Sequence, residues 1–532
     1  MKKVFLIAIS LFIIGCSSVT KNNRQAAELQ SVNDLRSDVD YAYKKMQRLH
    51  PNLYWYISKK DLDYKFDSLK TTITKPMNSF DFFKKISPVI ASVRQGHMSV
   101  FPLTKQPTEM EAKALTSKGV GPFSQFEFDI INDKMYVTKN KSYNKSIKPG
   151  TEVVAINNVN PVELFRTYDT WFASDGFNKT FKTFKLTKTF PAYYTYEFGI
   201  QDSIVYNFKF NDSVKVVSIK RGIVDTIKPV KPEPKKKLTA VEKKAQKNKS
   251  KAENRKKDIY GYNPTYKNYN RNLTFKEADS SIAVMKIRGF SMGNPYTFYS
   301  ESFKKIKANK SKTLIIDLRD NPGGRLDEIA NLYSYLSDST FVFTDKSEVA
   351  TRTSLLHANY FGGGSIPVKA VKALVSPLYF GYTFLKVKKA NGKYYYGTYD
   401  NKPQKTSPDA FKGKIYVLIN GGSFSASCIL SSNLKGAKRA YFVGQETGGA
   451  YNGTVAGRMP VVKLPHSKVG IKMGLMFIAP HQKTDIEGRG IFPDKEIVPT
   501  LQDKLAENDP EMNWIMEDIK SNGTKNVETA SN

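Results

Sequence analysis

The feature that most constrains this chain is a change of pattern near residue 280. From there, short apolar runs alternate with amphipathic stretches: IAVMKIRG, FYSESFKKIKAN, TLIIDLRD, GRLDEIANLYSYL, and later KIYVLIN, SASCILSSNLKG and RAYFVGQ. Apolar runs of strand length read as strands, and the longer stretches between them have helical spacing. Strands that alternate with helices demand a parallel or mixed sheet covered by helices, an α/β core. We place this core at 276–505.

At 532 residues the chain exceeds one ordinary domain. Apolar spacing near 3.6 in VNDLRSDVDYAYKKMQRLH and in SFDFFKKISPVIASVRQ predicts a helical region over 31–110. The stretch 111–225 holds short β-like runs such as FSQFEFDII, KMYVTK and SIVYNFKF. Within it, SIKPGTEVVAINNVNPVELF resembles the latter half of a PDZ domain, so a PDZ-like β-rich domain is expected there. A basic linker or loop is expected over 226–275, and a tail over 506–532.

The net charge of +34 invites a nucleic-acid reading. Part of it is local, since residues 228–258 hold 13 Lys or Arg against 4 Asp or Glu. That segment lacks apolar periodicity, and no zinc-ligand spacing or RNA-binding aromatic signature accompanies it. It reads as a solvated basic linker, and no nucleic-acid partner is expected. With five His and two Cys, both scattered, no metal site is expected, and no phosphate-binding loop or other cofactor motif is present.

The N-terminus, MKKVFLIAISLFIIGC, has a basic start and an apolar stretch from Val4 to Ile14. A bilayer span needs about 20 residues, and this shorter stretch fits a signal peptide over 1–15. Ile13-Ile14-Gly15-Cys16 resembles the bacterial lipobox. That resemblance implies a lipid on Cys16, a membrane attachment, and a tether over 16–30. The location it implies is the bacterial cell envelope, periplasmic or outer-membrane-associated.

Two strand ends carry the chemistry. TLIIDLRDNPGG ends in Gly323-Gly324, where the backbone can approach a ligand and aim N–H groups at negative charge. KIYVLINGGSFSASCIL ends in Gly421-Gly422 and offers Ser423, Ser425 and Ser427 at the start of a helix. A serine there is ordinarily an N-cap, but the same place gives an oxyanion free N–H groups and a positive helix end. Composition leaves the three serines equivalent.

DLRDNPGG, SFSAS, VGQETGG and GRGIFPD, in that order over about 280–500, resemble the carboxyl-terminal processing (tail-specific) serine peptidases. HPNLYWY and QGHMS further resemble lipoprotein members from Bacteroidetes-like bacteria. The resemblance implies a crotonase-like protease core behind a helical region and a PDZ-like domain. It makes Ser425 the nucleophile, and the lysine of the Ser–Lys branch is then replaced by Ala450. The other branch, which includes the tricorn core protease, uses Ser, His and Glu. Here that set is Ser425, His97 and Glu487, with backbone N–H groups from Gly323 or Gly324 and from Ala426 as the oxyanion hole.

Such a set is chemically sensible. A serine hydroxyl needs an adjacent base, imidazole suits the role, and a carboxylate can hold the tautomer. His481 is a rival base and Glu446 a rival carboxylate. The implied activity is an envelope endopeptidase that cleaves unfolded or C-terminal polypeptide segments. The alternative is an inactive peptide- or hydrophobic-ligand-binding lipoprotein on the same scaffold, which the altered QGHMS motif favours.

Overall fold

The computed structural model describes residues 19–222, 239–276, 280–362 and 365–528. The expected signal peptide, Cys16 and the first part of the basic segment lie outside these residues. Three helices come early in the described chain: α1 (Val32–Leu49), α2 (Lys59–Thr71) and α3 (Ser79–Ala91). Each begins at a side-chain cap, with Ser31, Ser58 and Asn78 accepting from the backbone N–H of Asp34, Asp61 and Asp81. Leu35, Val39 and Met46 of α1 and Phe82, Phe83 and Ile86 of α3 are buried in one apolar cluster. The loop after α3 carries His97 into the short strand β1 (Ser99–Phe101). The expected tether is more ordered than its composition suggests. Residues 19–27 are helical, and the Asn22 and Asn23 amides donate to the carbonyls of Thr104 and Gln106.

The β-rich region is an antiparallel meander of β2 (Phe126–Ile131), β3 (Lys134–Asn140), β4 (Glu152–Ile156), β5 (Ser203–Phe210) and β6 (Ser213–Lys220), paired in sequence order. Two helices lie between β4 and β5, and the second, α4 (Thr180–Phe198), runs to the core.

The segment expected to be a linker is partly structure. A capping box formed by Thr239 and Glu242 starts α5 (Ala240–Tyr260), and β7 (Arg271–Lys276) is an edge strand of the core sheet. Charge without apolar period hid the helix, which buries only its last turn through Ile259.

The core contains β8 (Ile282–Ile287), β9 (Thr313–Asp317), α6 (Ile366–Lys386), β10 (Lys414–Ile419), α7 (Ala426–Gly436), β11 (Tyr441–Gly444), β12 (Val461–Lys463), β13 (Gly470–Lys472) and β14 (Lys495–Glu496). Its main sheet runs β14–β11–β10–β9–β8–β7, parallel throughout except for the antiparallel edge β7. This is the mixed α/β architecture that the alternation requires. Both faces are covered, so every residue of β9 is buried. Leu314 and Ile316 face the large cluster, while Ile315 faces a second cluster closed by Ile515. Ile515 belongs to the helix Pro510–Glu528, so part of the expected tail packs against the core.

A smaller sheet, β1–β13–β12, joins the N-terminal region to the core, with Ser99 opposite Lys472. His97, two residues before Ser99, is thereby fixed against the far end of the chain.

Candidate active site

The two glycine-rich strand ends meet. Asn321 is fully buried and ties them together. Its side chain donates to Ile287 O at 2.9 Å, while its carbonyl accepts from Phe424 N at 2.9 Å and from Ser427 Oγ at 3.0 Å. Beside it, Asp320 and Asn420 bond reciprocally, Asp320 N to Asn420 Oδ1 and Asn420 Nδ2 to Asp320 Oδ1, each at 2.9 Å. A Cβ on Gly323 would lie 2.7 Å from Ala426 N and from Ser425 Cβ, which shows how closely the two turns approach.

The structure separates the three serines. Ser423 donates to Leu318 O and Ser427 to Asn321 O, so both buried hydroxyls are used in holding the turn. Ser425 Oγ instead lies 3.0 Å from His97 Nε2. Ser425 has φ 59° and ψ −118°, a backbone conformation costly for a residue with a Cβ and often found at functional turns. This turn delivers the side chain to His97 just before α7.

His97 is held on three sides. Its ring stacks on Phe424 at 4.7 Å, and Phe424 stacks on Phe181 of α4 at 4.3 Å. Its Nδ1 lies 3.0 Å from Thr454 Oγ1. Its loop is clamped by Asp175 and Gly176, with Gly96 N donating to Asp175 Oδ1 at 2.7 Å and Gly176 N donating to Arg94 O at 2.9 Å. Neither Thr454 nor Asp175 stands out in the sequence. YNGTVAG and ASDGFN read as turns, and only the fold brings them to the imidazole.

Burial pushes the His97 pKa down to about 3, and the ammonium groups of Lys472 and Lys185 push in the same direction. The ring is therefore neutral at ordinary pH, with Nε2 free to accept a proton when Nδ1–H donates to Thr454. Burial pushes the Asp175 carboxyl up to about 6, against the opposing effects of the Gly96 N–H, the Thr454 side chain and the Ala450 N–H. Lys185 is itself pushed down to about 8, first by burial and then by Lys472 and Lys182.

The remaining sequence candidates fall in other places. Glu487 is exposed, and its Oε1 accepts from Asn452 Nδ2 at 2.8 Å. The orienting contact to the imidazole comes from Thr454 rather than Glu487, a correction to the expected carboxylate partner. Glu487 reaches the site only indirectly, through Asn452, two residues before Thr454. Glu446 binds Arg489 and Gly490 N, and His481 pairs with Asp345 at 3.1 Å, so neither rival serves Ser425. Gly323 N–H donates to Asn321 Oδ1 at 2.9 Å, which removes it as an oxyanion donor. The bridge between Phe290 and this turn uses Gly323 O and Arg325 N, leaving the Gly324 N–H outside it. Ala426 N–H opens α7, where no intrahelical acceptor exists. Among the described residues no group of His, Cys, Asp and Glu is arranged to hold a metal.

The family model described as peptidase family S41 matches residues 281–497. A comparison with curated proteins found none that matches this chain. Among solved structures, mature CPAF complexed with lactacystin is similar at 12% identity and a TM-score of 0.58, covering 94% of this chain and 99% of that one. Mature CPAF alone is similar at 14% identity and a TM-score of 0.54, covering 89% and 94%. At such identities the likeness bears on the fold. Residues 281–497, less than half of the chain, are thus similar to the domain of peptidase family S41.

Proposed function

We propose that this protein is an endopeptidase of the bacterial cell envelope, with Ser425 as nucleophile and His97 as general base. The observation that carries the reading is the 3.0 Å contact between Ser425 Oγ and the neutral Nε2 of His97. Ser425 Oγ attacks the scissile carbonyl as Nε2 takes its proton. Thr454 holds Nδ1–H, and Asp175 holds the loop that carries the ring. The tetrahedral oxyanion is received by the N–H groups of Gly324 and Ala426 at the positive end of α7. The imidazolium then protonates the leaving amine, and water hydrolyses the acyl-enzyme by the same path in reverse. Glu487 steadies Asn452, and through it the strand Thr454–Ala456.

Unfolded or C-terminal polypeptide segments are the substrates that suit a crotonase-like core beside a PDZ-like unit. The outer strand β6 leaves Val214 and Val216 exposed on an edge that an extended peptide can join. The lipobox-like IIGC at 13–16 supports attachment through Cys16. An inactive binding protein would be favoured by a His97 ring remote from Ser425, which is not the geometry found.

Fluorophosphonate labelling and casein cleavage test the reading. Wild type should label and cleave, Ser425→Ala should do neither, and His97→Ala should lose at least about a thousandfold in rate. Equal behaviour of wild type and Ser425→Ala would end it.

A further inference from the structure

Helix α6 is apolar along most of its length, yet the protein leaves it uncovered. Val368, Val371, Val375, Leu378, Tyr382 and Leu385 recur every three or four residues and all are exposed; Leu378 is 75% exposed, and Leu374 beside this stripe 82%. Apart from Lys372 Nζ, which donates to Gly362 O at 3.1 Å, its side-chain anchors among the described residues lie toward its C-terminal end. Tyr379 stacks on Tyr360 at 4.2 Å, Arg352 lies 4.3 Å over the Phe384 ring, and Thr383 and Val387 are buried. The preceding turns are largely exposed. An apolar stripe of this kind on a monomer marks an interaction surface.

The charge beside the stripe identifies its occupant. Residues 366–390 contain Lys369, Lys372, Lys386, Lys388 and Lys389 and no Asp or Glu. Among the described residues none of these lysines has a carboxylate partner. Pairing with a second copy would bring lysines together with no acid on either helix to answer them, and Pro377 and Gly381 interrupt a long helix seam. No described helix is long and apolar enough to cross a membrane. A helix with an apolar stripe, flanking lysines, and Tyr379, Phe380, Tyr382 and Phe384 near one end has the composition of an element that lies in a bilayer interface.

We infer that α6 is a membrane-surface helix that lays its Leu374–Leu378 face into the headgroup boundary of an anionic bilayer, its lysines on the phosphates. This contact is separate from any lipid on Cys16 and does not depend on catalysis.

The test reads the helix itself, so an anchor elsewhere does not mask it. The full chain is placed on vesicles of phosphatidylcholine with or without phosphatidylglycerol, each carrying an acyl-chain diazirine. After photolysis, labelled peptides are mapped by mass spectrometry. Peptides from 366–386 should carry about tenfold more label than those from the polar helix α5 on anionic vesicles, and clearly less on neutral ones. Leu374→Glu with Leu378→Glu should bring the label down to the α5 level while fluorophosphonate reactivity is kept. Label at the α5 level in wild type would overturn the inference. So would labelling indifferent to phosphatidylglycerol, or copy-to-copy cross-links through 366–386 without lipid adducts.

Discussion

Asp175 and His97 depart from ordinary acidity in ways that oppose each other. For Asp175 the folded value is raised from 3.8 to about 6. Its contribution to stability is therefore full below pH 3.8 and is lost as pH rises through about 6. For His97 the folded value is lowered from 6.5 to about 3. Its contribution is present above 6.5 and lost as pH falls toward 3. At neutral pH the protein thus holds a buried carboxylate that weakens the fold, an arrangement common at working sites. Asp175→Asn should unfold at a higher temperature than wild type at pH 7.5, by on the order of 2–3 kcal/mol, and the advantage should vanish near pH 4. Its kcat/KM should fall while losing the acid limb that wild type is expected to show near pH 6. An unchanged limb in the variant would remove Asp175 from the account.

At the scale of elements, the site is the junction of β9 and β10. Asn321 spends its amide, its side-chain oxygen and its carbonyl on Ile287, Gly323, Phe424 and Ser427. Asn321→Ala leaves buried polar groups without partners and should cost about 2–4 kcal/mol in urea unfolding, with loss of fluorophosphonate labelling at temperatures where the fold survives. Full labelling in that variant would show that Ser425 does not need the link. This junction was legible in the sequence, because glycine pairs at the ends of buried strands leave few alternatives. So were the α/β alternation, the early helices and the β-rich stretch. The contribution of Asn321 itself was not legible, since an Asn before Pro-Gly-Gly reads as turn chemistry. Thr454 and Asp175 were hidden for a different reason: their partners lie hundreds of residues away, and no local period records such contacts. Charge concealed α5, and a terminal position concealed the helix that buries Ile515.

At the scale of the molecule, one apolar cluster runs from Leu35 in α1 to Ile491 near the end of the core. The early helices and the core therefore should not melt separately. Loss of peptidase activity and loss of Trp fluorescence should share one midpoint in urea. Activity that disappears well before the fluorescence change would show that the N-terminal region detaches by itself.

The pairing of β1 with β13 has a consequence for when the protein can act. The proposed base arrives with residue 97 and the proposed nucleophile with residue 425, and β13, which pairs with the strand after His97, comes later still. A chain emerging from a ribosome carries Ser425 without His97 beside it until its last third has folded back on its first fifth. The proposed catalytic pair is thus its own safety catch, assembled only by completion of the fold.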